Sequence, residues 1–260
     1  MPDHVDPVDL SVEGLSKSFG GLTVLRDISF RIPAGTTLGI IGPNGAGKTT
    51  ITNIVCGSLR ADAGQVRLGE RRIDGLPQFR RSQLGIGRTF QTMRVFGEMS
   101  SIENVMVGAH CIGHATTAQA LFRRRLTKRE EHALRAKAEE YLRLVGTNPA
   151  QDEVLVSSLT VSEQRSVELA RALVAQPQVL LLDEPTSGLD PDRVTSWIEL
   201  LQRLKAAIGM AILLIEHRMD VIARMSDSVI AVHGGGIITQ GPPAEALMND
   251  EVRRIYLGEL

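Results

Sequence analysis

The chain has 260 residues, 29 Lys plus Arg against 30 Asp plus Glu, and 43% apolar residues. A net charge of −1 gives no global attraction to polyanions, and six Phe, two Tyr and one Trp are too few rings for the stacking platforms of single-stranded nucleic-acid binders. The apolar share excludes a disordered tail, and the length, about 1.7 times the usual domain size, suits one large domain or two unequal lobes.

The N-terminus, M-P-D-H-V-D-P-V-D-L, has neither the basic start nor the apolar stretch of a signal peptide, so the chain is expected to stay in the cytoplasm. Residues 8–32 alternate polar and apolar positions around Gly20-Gly21 and predict an antiparallel hairpin at a sheet edge. Residues 36–41 read as a strand, followed by a glycine-rich loop and a helix over 48–59. Residues 65–77 suggest a second short hairpin. Beyond about Ser100 the pattern turns helical, over 102–109 and then 118–145, where a density of Arg, Lys and Glu marks an insertion. Val167, Ala170, Leu173 and Val174 recur at helical spacing within 161–175, and 179–182 is a wholly apolar strand of the buried parallel kind, ending in Asp183-Glu184. A helix over 192–207, a strand over 210–215, a short helix from Met219, a strand over 228–232 and a turn at Gly234-Gly235-Gly236 complete an alternating α/β pattern. The apolar runs fall far short of the ~20 residues that cross a bilayer. Cys56 and Cys111 form no metal-ligand spacing and read as ordinary buried thiols.

Gly42-Pro43-Asn44-Gly45-Ala46-Gly47-Lys48-Thr49 fits G-x-x-x-x-G-K-[ST] without a mismatch, between a strand and a helix. Glycines let successive backbone N–H groups surround phosphate oxygens, and the helix N-terminus adds positive potential. Lys48 would reach the terminal phosphates, and the Thr49 hydroxyl would ligate magnesium, with Thr50 beside it in the same nucleotide-binding turn. Asp183, at the end of the apolar strand, is placed to hold magnesium directly or through water, and Glu184 to orient or deprotonate an attacking water. A glycine turn with a chance lysine is the bland alternative, and the flanking elements together with Asp183 argue against it.

Such a loop names a nucleotide and not a job. No Asn-Lys-x-Asp guanine reader is present. Leu159-Thr160-Val161-Ser162-Glu163-Gln164-Arg165 precedes the helix that leads to Asp183-Glu184-Pro185-Thr186-Ser187-Gly188-Leu189-Asp190, and Ile215-Glu216-His217 follows one strand later. This order resembles the ATP-binding cassette (ABC) ATPases over nearly the whole chain. The resemblance implies an α/β P-loop NTPase with a RecA-like core and an antiparallel β subdomain (about 1–89 and 171–260) and a helical lobe (about 90–170). It implies that Phe19 stacks on adenine, that Gln91 is a magnesium-coupled glutamine, that residues 159–164 are the signature reading a partner's nucleotide, that Asp190 lies on a dimer loop and that His217 contacts the γ-phosphate. Lys17-Ser18-Phe19-Gly20-Gly21, Arg88-Thr89-Phe90-Gln91, the insertion before Leu144-Val145-Gly146 and the terminal Tyr256-Leu257-Gly258-Glu259 are similar to the ATPases of branched-chain amino-acid importers. Urea and amide importers and the lipopolysaccharide-export ATPase share much of this pattern. The implied partners are a second ATPase chain, transmembrane permease subunits at the cytoplasmic face of the membrane and, indirectly, an extracytoplasmic solute-binding protein. ABC ATPases acting on nucleic acid or ribosomes usually carry two cassettes, long coiled coils or zinc clusters, none of which is found here.

The family signature reads Leu-Ser-Gly-Gly-Gln, and here Thr160, Val161, Ser162 and Glu163 replace its last four residues. The resemblance implies that this segment faces the γ-phosphate held by the partner, where a glycine lets the backbone come close. The Ser162 Cβ would hold it back and, if the position needs a positive φ, store about 1–3 kcal/mol of strain; otherwise its hydroxyl could simply donate to phosphate. The strained alternative implies a slow ATP site completed by this segment and a partner ATPase of different sequence.

Overall fold

The computed structural model describes residues 8–89, 95–109 and 124–257. Contacts group them into two compact units, one drawn from 1–91 and 178–260 and the other from 92–177.

The first unit begins with the expected hairpin. Strands β1 (Leu10–Phe19) and β2 (Leu22–Ile32) pair antiparallel, Phe19 opposite Leu22, around Gly20 and Gly21 at φ 51° and 88°, the double positive φ that a two-residue hairpin turn demands. With β4 (Ala63–Leu68) and β5 (Arg71–Arg72) they form a four-stranded sheet of order β2-β1-β4-β5. The second sheet has six strands, β10-β9-β3-β8-β7-β6. In it β3 (Thr37–Ile41), β7 (Val179–Asp183) and β8 (Ala211–Ile215) are buried at every residue, which explains their unbroken apolar runs. β6 (Ile86–Arg88), β7, β8, β3 and β9 (Ser228–His233) run parallel, and β10 (Gly236–Gly241) returns antiparallel from the glycine turn. The core of this unit joins Leu10, Leu15 and Ile28 of the first sheet to Leu38, Ile40, Leu181 and Leu213 of the second, with Ile51 and Ile54 of helix α1 (Lys48–Cys56) between them.

Several boundaries depart from the sequence reading. Helix α1 ends at Cys56, not Leu59, because Gly57 turns left-handed at φ 84° and its N–H closes on the Ile54 carbonyl. The arginine Arg81 of helix α2 (Gln78–Gln83) then occupies that end, its buried guanidinium donating to the carbonyls of Ile54, Val55, Asp74 and Leu76. Neither α2, nor β6, nor β10, nor the two short closing helices Pro243–Met248 and Asp250–Leu257 was signalled by periodicity.

The second unit is helical. Helix α3 (Ser101–Ala109) is followed by α4 (Arg124–Leu144) and α5 (Val161–Leu173). Gly108 lets α3 approach α5 so closely that a Cβ there would lie 2.2 Å from the Arg171 carbonyl oxygen. Buried Asn104 ties the entry of α3, its amide donating to the carbonyls of Phe96 and Ser100 while its oxygen accepts from Phe96 N–H. In the first unit, helices α6 (Pro191–Ile208) and α7 (Met219–Met225) complete the alternation. Cys56 is buried as expected, and Cys111 lies outside the described residues.

Candidate functional site

The loop 42–47 leaves buried β3 and enters α1. A Cβ at Gly42 would lie 2.3 Å from the Val232 carbonyl oxygen, and at Gly47, φ 98°, it would meet Leu25 Cδ2 at 2.5 Å. Both positions therefore require glycine. Ala46 N–H closes the loop on the Pro43 carbonyl at 3.2 Å. Asn44, Gly45 and Thr49 are exposed, Pro43 and Thr50 half-buried, and Ala46 buried. Lys48 is buried, and its ammonium donates to the carbonyls of Gly42 at 2.6 Å and Pro43 at 3.0 Å. Burial pushes its pKa below the usual lysine range, and the charges of Glu184 and Asp183 pull it back up, so the lysine stands in the field of both carboxylates.

Asp183 closes β7 with 2% of its surface exposed. Its Oδ2 faces Arg88 Nη2 at 3.4 Å, and its Oδ1 is buried with no hydrogen-bond partner. Burial raises its pKa above the usual carboxylate value, and Arg88 opposes the rise. An orphaned carboxylate oxygen in the field of Lys48, with the Thr49 hydroxyl one residue beyond that lysine, fits a hard cation that takes oxygen ligands and completes its shell with phosphate and water.

Glu184, one residue on, sits at φ 50°. For a non-glycine residue that conformation costs about 1–3 kcal/mol and persists only where its surroundings enforce it. Here the Glu184 N–H donates to the Ile215 carbonyl at 2.9 Å, which holds the backbone, and Oε1 lies 2.7 Å from His217 Nε2. Between β8 and His217 stands Glu216, a buried carboxylate. Its Oε1 accepts from the Thr186 N–H (2.9 Å) and hydroxyl (2.5 Å), and its Oε2 accepts from the His217 N–H (3.1 Å). The structure thus brings Lys48, Asp183, Glu184 and His217 together, and it adds Arg88 and Glu216, which the sequence reading quoted in motifs but assigned no part. The groups that hold Arg88, and the Thr186 that holds Glu216, lie far along the chain, so no local pattern signals them.

Phe19 ends β1 46% exposed, with Lys17 Nζ over its ring 5.4 Å from the centroid. Asp190 is the N-cap residue of α6, yet its side chain makes no capping hydrogen bond, which leaves the carboxylate unused by its own helix. Gln91 lies outside the described residues.

The signature segment belongs to the helical unit. Leu159 is buried, Val161 exposed, and Gln164 donates its amide to the Leu159 carbonyl at 2.9 Å. At Ser162 the strain alternative fails. The residue occupies the first turn of α5, and among the described residues only Asp27, Gln176 and Glu184 carry a positive φ without being glycine, so Ser162 stores no left-handed strain. The larger departure is Glu163. Thr160 and Glu163 form a reciprocal capping box: the Glu163 carboxylate accepts from the Thr160 N–H (2.8 Å) and hydroxyl (2.7 Å), and Thr160 Oγ1 accepts from the Glu163 N–H (3.4 Å). Gln151 donates to the other carboxylate oxygen at 2.6 Å.

A family model described as "ABC transporter" matches residues 25–187. The high-affinity branched-chain amino acid transport ATP-binding protein LivG of Salmonella typhimurium is 36% identical over 250 residues, covering 96% of this chain and 98% of LivG. BraF of Pseudomonas aeruginosa, described in the same terms, is 32% identical over 96% of this chain and 98% of its own. Among solved structures, the ADP conformation of an ATP-binding cassette from an ABC transporter superposes with a TM-score of 0.84 at 30% identity, over 97% of this chain and 99% of that one.

Proposed function

Since the chain belongs to the ABC transporter ATP-binding family, we propose that it is the ATPase subunit that energises uptake of branched-chain amino acids, docked on permease subunits at the cytoplasmic face of a membrane. The cluster of Lys48, Asp183, Glu184 and His217 supports ATP hydrolysis. The solute rests on the full-length likeness to LivG and BraF. Among the described residues no helix is long and apolar enough to cross a membrane, so in this reading translocation belongs to the permease.

The nucleotide phosphates would enter the loop 42–47, whose backbone N–H groups and helix N-terminus complement their charge. Lys48 would exchange the carbonyls of Gly42 and Pro43 for the terminal phosphates. Phe19 offers its exposed ring to adenine. Thr49 and Asp183 would hold magnesium, which when bound neutralises phosphate charge. Glu184 would take the proton of the attacking water, with His217 fixing the carboxylate and reaching toward the γ-phosphate. Gln91 is assigned to the same magnesium-coupled role.

A second ATPase chain would close over the nucleotide, with Asp190 on the loop between the two. In the complementary site the signature 159–164 would face the partner's nucleotide. There the Thr160 hydroxyl, already engaged by Glu163, would have to change partner to reach phosphate. This supports an asymmetric pair in which the partner is a different chain and the site completed by this signature turns over slowly. An extracytoplasmic solute-binding protein would deliver the amino acid to the permease.

The test is reconstitution with permease subunits, a second ATPase chain and a solute-binding protein from the same organism. Leucine, isoleucine or valine should stimulate ATPase activity and accumulate in vesicles. Stimulation by urea or a lipid instead, with none by these amino acids, would replace the solute assignment while leaving the ATPase assignment standing.

A further inference from the structure

Arg88 closes the three-residue strand β6, paired in parallel with β7 so that it stands opposite Leu181, two residues short of Asp183. Its side chain is 9% exposed. The guanidinium does not simply pair with the nearest acid. Nη1 donates to Asn53 Oδ1 at 2.7 Å and to Cys56 Sγ at 3.2 Å, and Nη2 reaches Thr52 Oγ1 and Asp183 Oδ2, both at 3.4 Å. Thr52, Asn53 and Cys56 all belong to α1, the helix whose first residue is Lys48. One rigid fork therefore spans the phosphate-loop helix and the end of the strand that carries Asp183. It touches one carboxylate oxygen, Oδ2, and leaves Oδ1 buried with no hydrogen-bond partner.

We propose that Arg88 is the positioning residue for the metal carboxylate: it holds Asp183 by one oxygen, keeps the other presented to magnesium, and locks that strand to the helix that follows the phosphate loop. Two cations compete for Asp183, Arg88 and Lys48. Remove the guanidinium and the carboxylate turns toward the Lys48 ammonium, which draws Oδ1 away from the metal. Partners that orient a metal ligand in this way usually account for about ten- to a hundredfold in metal affinity. Lysine cannot substitute, because a single ammonium does not reproduce the planar fork that reaches Asn53 and Asp183 at once. The inference rests on the reading of Asp183 as a magnesium ligand.

The experiment compares the affinity of the full chain for a fluorescent ATP analogue in magnesium and in chelator, with no turnover required. Wild type should bind more tightly in magnesium; absence of that gain would overturn the magnesium reading and this inference with it. Given the gain in wild type, Arg88→Met should reduce it about tenfold while leaving chelator affinity within twofold, and Arg88→Lys should recover little. An undiminished gain in Arg88→Met, or a parallel loss in magnesium and chelator, would overturn the positioning role and leave Asp183 as ligand intact. Should Arg88→Met fail to fold, Asn53→Ala decides the matter, because it removes the shortest of the three contacts that tie the fork to α1, with Arg88 and Asp183 both in place. A loss of about threefold in the magnesium gain is then expected, and an unchanged gain overturns the proposal.

Discussion

His217 Nε2 lies 2.7 Å from Glu184 Oε1, although the two residues are 33 positions apart and leave the ends of adjacent parallel strands. The contact fixes the carboxylate that would accept the proton of water, on a backbone already held at φ 50°. Glu184→Gln should lower phosphate release by at least about a hundredfold and leave ATP binding intact. His217→Ala should cost less in binding than in turnover. Steady-state kinetics beside equilibrium nucleotide binding separate the two, and rapid turnover by Glu184→Gln would remove Glu184 as the base.

The capping box shifts attention in the signature from Ser162 to Glu163. Ser162 already sits in ordinary helix, so Ser162→Gly alone should change transporter ATPase by less than about twofold and mildly loosen the first turn of α5. Glu163→Ala removes the acceptor that engages the Thr160 hydroxyl, and it should raise ATPase activity of the assembled transporter several-fold. A drop, or no change, in that variant would show that the box serves the helix only.

Arg81 is among the largest fully buried side chains and donates to four carbonyls, two of them at the end of α1. Burial pushes its pKa below the usual arginine range. Arg81→Met strands those carbonyls and should destabilise the chain by about 3 kcal/mol in urea unfolding. A loss under about 1 kcal/mol would mean that water replaces the guanidinium.

Asp9 titrates below the ordinary carboxylate range, first because the Ala34 N–H donates to it at 2.8 Å and then because Arg31 pairs with it. A lowered folded pKa stabilises only while the carboxylate is ionised. The contribution is therefore complete above the unfolded value of 3.8 and fades as pH falls through the lower folded value. Asp9→Asn should be less stable than wild type at pH 7, with the gap closing as pH falls below 3.8. A gap unchanged at low pH would assign the effect to packing.

The phosphate loop and the Asp183-Glu184 pair were legible because each is a run of consecutive residues whose chemistry depends on local geometry. The hairpin at Gly20-Gly21 was legible for the same reason. The bonds that hold the site were not: Arg88 to Asp183 spans 95 positions, Arg88 to Asn53 35, and Glu216 to Thr186 30. Strand β6 is too short to show a period of two, and β10 begins inside a run read as a turn. The end of α1 was within reach, since Gly57 is a textual stop signal that apolar composition beyond it obscured. Ser162 shows a different limit: sequence named the missing glycine and left two readings open, and only the helix geometry showed that no positive φ occupies the position.

Both neighbours of β3 arrive late. β8 begins at Ala211 and β9 at Ser228, and the Val232 carbonyl that lies against Gly42 comes later still. On a ribosome, the apolar segment Thr37–Ile41 therefore waits with both edges open while the helical unit, whose members lie within 92–177, can already assemble. Pairings so distant in sequence form slowly and leave strand edges exposed to other chains. The phosphate loop is made well before the strands that give it its shape.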